Sequence, residues 1–426
     1  MLRYVQYEQA YSWRNGESVY FMQKFYYSQQ IIPHLHDLYG RRNISDVERF
    51  EQAICEFKRS FGYDYAYFCS SSGRVEFVGN HLDHNGGVVL GSAINLDIVA
   101  AFRPTDTSVV RILGEDRNPI RINIDDDAKP VGSAGLVKGV LTYLKNAGYR
   151  IGGFDAYTVS TVPSGAGVSS SAAFELAVGS IVNHCFNDGA ISPETLSKAG
   201  QFAENEFFNK PCGLLDQSVV AVGGLVKLDF ANDLTFERLK VANDAFQLVL
   251  IDTGLSHSGL SHLYAEIPAE MYAVAQYFGK SRLIEVDENA FFNQYDEVCA
   301  KVGQRPALRA KHFFEENRRV SQCERALLSG DVDTLIKLIN ESGDSSLYQL
   351  QNCAVDETDT AISDAIKLAR SICPCGARVH GGGFAGTVLC VVPTQYAAQF
   401  IEKIRQTYGE KNILPLLIRH SGATVL

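Results

Sequence analysis

The sequence lacks any run of Lys and Arg, and its net charge is −10. Gripping a phosphate backbone needs concentrated positive charge, so this balance argues against a nucleic-acid partner. No stretch approaches the roughly 18 uninterrupted apolar residues of a membrane span. The opening residues, MLRYVQYEQAYSWRNGE, lack the basic segment and apolar core of a signal peptide. Together these absences predict a cytoplasmic protein without a membrane partner. There are no repeats, no low-complexity tract and no long Pro/Ser linker, which argues against domains strung as beads. Zinc-finger spacing is also missing. Cys373 and Cys375 flank one proline without a matching second pair, and the ten cysteines read as reduced, buried thiols.

What is present is enough apolar content for a large core: 46% of 426 residues, a length for two or three domains. Residues 1–67 read as helical and polar-aromatic, with ISDVERFEQAICEFKRSFG as an amphipathic helix ended by Gly62. The first forty residues carry no chemistry and are expected to be a packing extension. From residue 68 the pattern turns to strand, at Val75 to Val78, Val88 to Ala101, Ser108 to Ile112, Ile120 to Ile124 and Ala156 to Val162. Helices are expected over Ser133 to Asn146, Ser169 to Phe186 and Pro193 to Phe208, then strands over Gly224 to Phe230 and Phe246 to Asp252. The second half is mainly long helices, with two strands around a glycine run at Ala377 to His380 and Thr387 to Val392.

Four motifs carry chemistry. The sharpest is Pro163-Ser-Gly-Ala-Gly-Val-Ser-Ser-Ser-Ala-Ala173. A strand ends at proline, two glycines follow, and three serines open an apolar helix. Glycine lets backbone approach an anion closely, and a helix start presents unpaired N–H groups and a positive dipole end. The segment lacks the Gly-Lys-Ser/Thr of a Walker loop. The bland alternative is a Gly/Ser turn with a serine cap. The second motif, Gly73 to Gly87, crowds Asn80, His81, Asp83, His84 and Asn85 into one turn after a strand. Such density suits a polar ligand such as a sugar, a metal, or plain solvent. The third, Pro211-Cys-Gly-Leu-Leu-Asp-Gln217, follows a helix carrying Glu204; its Asp216 is a candidate general base or a helix cap. The fourth, Arg378 to Thr387, holds four glycines between strands, either a loop approaching phosphate or a tight turn.

In this order the motifs resemble the galactokinase branch of the GHMP kinases from about residue 45 to the C-terminus. Gly73 to Gly87 is similar to the galactokinase signature, Pro163 to Ala173 to the ATP motif, and His380 to Gly386 to the third glycine motif. The resemblance implies a two-lobed α+β fold, with a ribosomal protein S5-like N-terminal lobe and a ferredoxin-like C-terminal lobe. It divides the chain into an extension (1–44), a first lobe (45–230) and a second (231–426). It implies ATP, Mg²⁺ and a small sugar as ligands, and phosphorylation of the anomeric C1 hydroxyl, of galactose first. Oligomeric state is not set, and a monomer is compatible.

Carried over residue by residue, the resemblance makes Arg74 the charge-steadying arginine, expected to lower the pKa of its acidic partner. Asp216 becomes the aspartate that accepts or orients the acceptor proton. Ser171 and Glu204 are expected to hold Mg²⁺, and Gly165, Gly167, Ser169, Ser170 and Ser171 to wrap the phosphates. Asn80, His81, Asp83, Gly213 and Tyr264 are expected at the sugar. There are departures. The family usually carries Glu where this chain has Asn80, Tyr where it has His84, Pro where it has Ser72, and often Arg where Ser256 precedes His257-Ser258. A neutral Asn80 suits a hydroxyl but also removes repulsion against a C6 carboxylate, so a galacturonate or other C6-modified sugar kinase is the alternative. A non-catalytic sugar sensor is the reading from another class; the intact run Ser169-Ser170-Ser171 argues against it.

Overall fold

The computed structural model describes residues 12–14, 17–19, 23–40, 44–115, 118–208, 212–232, 234–241, 245–254, 260–356, 358–384 and 386–426, without the side chains of 12–14, 17–19, 44 and 261. The strand begun by the expected Val75–Val78 segment is longer, Tyr67–Val78, and almost wholly buried. It pairs antiparallel with Val88–Pro104, a strand long enough to serve two neighbours. The first part of that strand, Val88 to Ser92, pairs with Leu225–Asp229, and the last part, Ile98 to Pro104, with Phe154–Ser160. Val109–Gly114 and Ile120–Asn123 complete one edge of the sheet.

Helices cover one face: Ser133–Asn146, Ser170–Asn187, Pro193–Phe207 and Leu215–Val222. Pro193 and the Ser192 cap, whose hydroxyl accepts from Thr195 N–H, set the start of the third in the usual way. The other face is covered by Ile44–Phe61 and the segment before it. Phe25, Ile31, Leu35, Leu38 and Tyr39 are buried there, and the Tyr39 hydroxyl donates to Asp97 at 2.6 Å. The described part of the extension therefore packs, as its lack of chemistry predicts.

A second, four-stranded sheet runs Gly376–Val379, Thr387–Pro393, Phe246–Asp252 and Ile413–Leu416 in order. Ala361–Ile372 and Thr394–Tyr408 bury apolar side chains against it. Gln304–Ser329 packs against Val88–Pro104 of the first sheet, with Ser261–Tyr277 against it, and Val332–Ser345 lies between Gln304–Ser329 and Gly376–Val379 of the second. The boundary expected at 230/231 does not follow the sheets. Thr235–Leu239 pairs with Leu225–Asp229, and the C-terminal Thr424–Val425 pairs with Ser70 and Cys69. The chain returns because Arg419, wholly buried, is drawn to buried Asp97 at 3.0 Å, a pairing that a buried charge requires. Among the described residues no helix is long and apolar enough to cross a membrane.

Candidate active site

The start of the signature strand is stitched to the Gly/Ser loop. Arg74 N–H donates to Val168 carbonyl at 3.1 Å, and a Cβ at Gly73 would lie 2.8 Å from that same oxygen. Only glycine permits the approach. Arg74 then reaches across to Asp216, with Nε at 2.8 Å and Nη2 at 2.6 Å from Oδ1, while Nη1 donates to Gly167 carbonyl. Ser169 hydroxyl donates to Oδ2 of the same aspartate. Residues 74, 169 and 216, far apart in sequence, thus form one cluster.

The loop itself departs from an ordinary serine cap. Ser169 holds the N-cap position of Ser170–Asn187 at φ 62, yet its side chain makes no capping bond. A left-handed serine costs energy that its surroundings must offset, and here the hydroxyl is turned towards Asp216. The helix's first N–H groups, Ser170 among them, therefore take no bond from the cap side chain, the terminus chemistry that suits an anion. Gly165 and Gly167 stand at φ 85 and 72, and a Cβ at Gly165 would meet nothing within 4 Å. Asp216 is the second residue of Leu215–Val222, and its carboxylate faces Arg74 and Ser169; the helix-cap alternative fails.

At the second residue of the loop helix, Ser171 hydroxyl donates to Glu204 Oε1 at 2.5 Å. Glu204 is buried, and Gln217 Nε2 lies 3.1 Å from Glu175 Oε2 and 3.5 Å from Glu204 Oε2. A hydroxyl and a carboxylate backed by a second buried carboxylate form a hard, anionic oxygen set. That donor chemistry fits Mg²⁺, which takes few protein ligands and completes its shell with water and phosphates. Glu175 and Gln217 drew no notice in the sequence, although their positions, four after Ser171 and next to Asp216, mark them as neighbours.

The sugar-side residues are gathered too, but differently. Asn80 is fully buried and its amide is spent inside the protein. Nδ2 donates to Glu76 Oε1 at 3.0 Å and Gly381 carbonyl at 2.7 Å, and Oδ1 accepts from Asn352 at 2.8 Å and Ser346 at 3.4 Å. The side chain expected at a sugar hydroxyl is instead a node between lobes. His81, at φ 58, places Nε2 2.9 Å from Gly382 carbonyl, and burial holds its pKa down. Tyr264 hydroxyl donates to Gly383 carbonyl at 2.9 Å; burial pushes it up to about 12. Asp83 and Gly213 do meet: a Cβ on Gly213 would sit 2.3 Å from Asp83 Oδ2. Burial first, and then the charges of Glu76 and Asp216, push the Asp83 carboxyl up to about 6. Ser256, His257, Ser258 and Pro211 lie outside the described residues.

The fourth motif turns at Gly381 and Gly382 between its two strands. Its carbonyls at Gly381, Gly382 and Gly383 accept from Asn80, His81, Asn352 and Tyr264. His380 Nε2 accepts from Glu76 N–H at 3.1 Å, and its Nδ1 lies 3.1 Å from Thr387 hydroxyl, which reaches Ala166 in the Gly/Ser loop. The glycine run clasps the two lobes around the cleft.

Known proteins match this arrangement. Three family models fit: GHMP kinases N terminal domain over residues 135–224, the galactokinase galactose-binding signature over 55–104, and GHMP kinases C terminal over 323–410. A Lactococcus lactis galactokinase solved with galactose superposes with a TM-score of 0.77 at 23% identity, covering 90% of this chain and 100% of that one. Methanococcus jannaschii mevalonate kinase gives 0.59 at 16% identity, covering 83% and 98%. The fold is that of the GHMP kinases, a class of small-molecule phosphotransferases. A galactokinase of Limosilactobacillus reuteri is 30% identical over 384 residues, spanning 85% of this chain and 94% of its own length. One of Clostridium tetani is 28% identical over 378 residues, spanning 86% and 93%. The chain belongs to the galactokinase family and is a sugar kinase, with ATP the donor that the family uses.

Proposed function

We propose that this enzyme transfers the γ-phosphoryl group of ATP to the C1 hydroxyl of galactose, giving galactose 1-phosphate and ADP, in the cytoplasm. The observation that carries the reading is the convergence of Arg74, Asp216 and Ser169 beside the uncapped helix start. Gly165, Gly167, Ser169, Ser170 and the N–H groups behind them receive the phosphates. Asp83, Gly213, His81 and Tyr264 bound the sugar end, with Asn80 tying Glu76 to Gly381 and Asn352 behind them. The acceptor oxygen O1 forms its bond to Pγ as the bond from Pγ to the bridging oxygen of ADP breaks, and the O1 proton passes to the Asp216 carboxylate. Arg74 holds that carboxylate in place and lies beside the charge that develops. Phosphoryl transfer needs positioning and charge neutralisation above all. Ser171 and Glu204 would hold Mg²⁺, which neutralises phosphate charge when bound.

ADP release with Mg-ATP, measured against galactose, galacturonate, N-acetylgalactosamine, glucose and arabinose, tests the assignment. Galactose should give the highest kcat/KM, with a sugar 1-phosphate seen by phosphorus NMR. Saturable sugar binding without turnover of any of the five would overturn it in favour of a sensor.

A further inference from the structure

Glu76 has no role in the reading so far, yet its carboxylate stands close enough to Asp83 for its charge to act on it. Residues 74 to 76 keep a regular register with Ala93, Ser92 and Gly91. Alternation therefore puts Arg74 and Glu76 on the same face of the signature strand, about 7 Å apart along it. That distance is comparable to the reach of a hexose from the oxygen on C1 to the group on C5.

The Glu76 carboxylate is used on one oxygen only. Arg378, fully buried, donates to Oε1 at 2.9 Å, and Asn80 Nδ2 donates to the same atom at 3.0 Å. Among the described residues no donor reaches Oε2, and 7% of the side chain is open. A carboxylate oxygen has lone pairs to fill, and a sugar hydroxyl is a fitting donor. Asn80 cannot supply this contact, because both ends of its amide are already bonded within the protein.

The charges around the space point the same way. Glu76, Asp83 and Asp216 sit close enough that the first and last both raise the proton affinity of Asp83. The nearby cations are committed: Arg74 to Asp216, Arg378 to Glu76, and Arg309 to Glu270 at 2.9 Å. His81 and His84 are both pushed towards the neutral form, by burial first. An anionic group at the far end of the sugar would enter a space holding carboxylates and no spare positive charge among these groups. Repulsion of that kind is a common source of specificity.

We propose that Glu76, through Oε2, accepts the hydrogen bond of the C6 hydroxymethyl group and selects neutral hexoses against uronates. This inference rests on the sugar 1-kinase reading. It also reverses the weight of the Asn80 departure: the acid missing at position 80 is supplied from one strand repeat beyond Arg74, and the site is not opened to a C6 carboxylate.

The test compares galactose, 6-deoxygalactose and galacturonate on the intact enzyme and on Glu76→Gln. In the unmodified enzyme, kcat/KM for galactose should exceed that for galacturonate by about 100-fold. Glu76→Gln should lower galactose kcat/KM about 10-fold, mainly through KM, while 6-deoxygalactose changes less than about two-fold. The galactose-to-galacturonate ratio should narrow at least about 10-fold. Equal losses for galactose and 6-deoxygalactose, or an unchanged ratio, overturn the assignment. Because Glu76→Gln weakens the partner of buried Arg378, calorimetric binding to the unmodified protein supplies a second measure. There galactose should bind about 10-fold tighter than either analogue; equal affinities overturn the proposal. If no sugar is turned over at C1, the kinase reading fails, and this binding series still decides the role of Glu76.

Discussion

The reaction corner and the sugar-side network meet in one cleft but are built on opposite plans. At the reaction corner a short loop is held away from ordinary helix capping, and the serine that would cap the helix is turned instead to Asp216, which Arg74 also grips. On the sugar side, Asn80, His81 and Tyr264 are turned inward, to carbonyls of the glycine run or to Asn352. The lesson is that a polar motif can bind ligand directly or can hold the frame that binds it. Only the fate of its hydrogen bonds tells which.

Three substitutions test that contrast. Asp216→Asn, at the reaction corner, should lower kcat about 10³-fold or more while galactose binding by calorimetry stays within a few-fold of normal. Joint loss of binding and turnover would make Asp216 part of the frame instead. Asn80→Ala, on the sugar side, should behave in the reverse sense. It strands Asn352, Gly381 and Glu76 in a buried network, and a cost of roughly 2–4 kcal/mol is expected, read from denaturant midpoints. A normal midpoint with a raised galactose KM would return Asn80 to the role of direct sugar contact.

The smallest effect concerns Asp83, whose carboxyl is raised from the ordinary 3.8 to about 6 by burial and by its acidic neighbours. The folded protein thus binds a proton more readily than the unfolded chain. The sign follows: stability gained from that proton is present near pH 4 and is lost as pH rises through 6. Galactose, which needs the ionised acceptor, should bind several-fold more weakly at pH 5 than at pH 7. In Asp83→Asn both slopes should flatten; an unchanged slope would assign them to another group.

The legible parts of the site share a physical cause. The Gly165-to-Ser171 loop declares itself because its function lies in consecutive backbone conformations, which glycine and serine encode locally. Strand Phe246–Asp252 and helix Pro193–Phe207 were equally readable, from apolar alternation and a Ser-Pro start. The extra length of Tyr67–Val78 was not, since a strand buried on both faces loses the alternation that marks it. Leu215–Val222 hid as a helix too short for periodicity to show. Glu76 and Arg378 lie 302 residues apart, and nothing local in either segment announces the other.

By itself the sequence determined the class of chemistry: a glycine-serine loop before a helix, and an arginine and an acid in fixed order. The tertiary structure alone decided which of the polar side chains face the cleft. It buried Asn80 and left Glu76 with one open oxygen. It also brought the C-terminal strand back beside the first lobe. Those outcomes depend on which donors and acceptors become neighbours after folding, and a buried polar group must take whichever partner the packing provides.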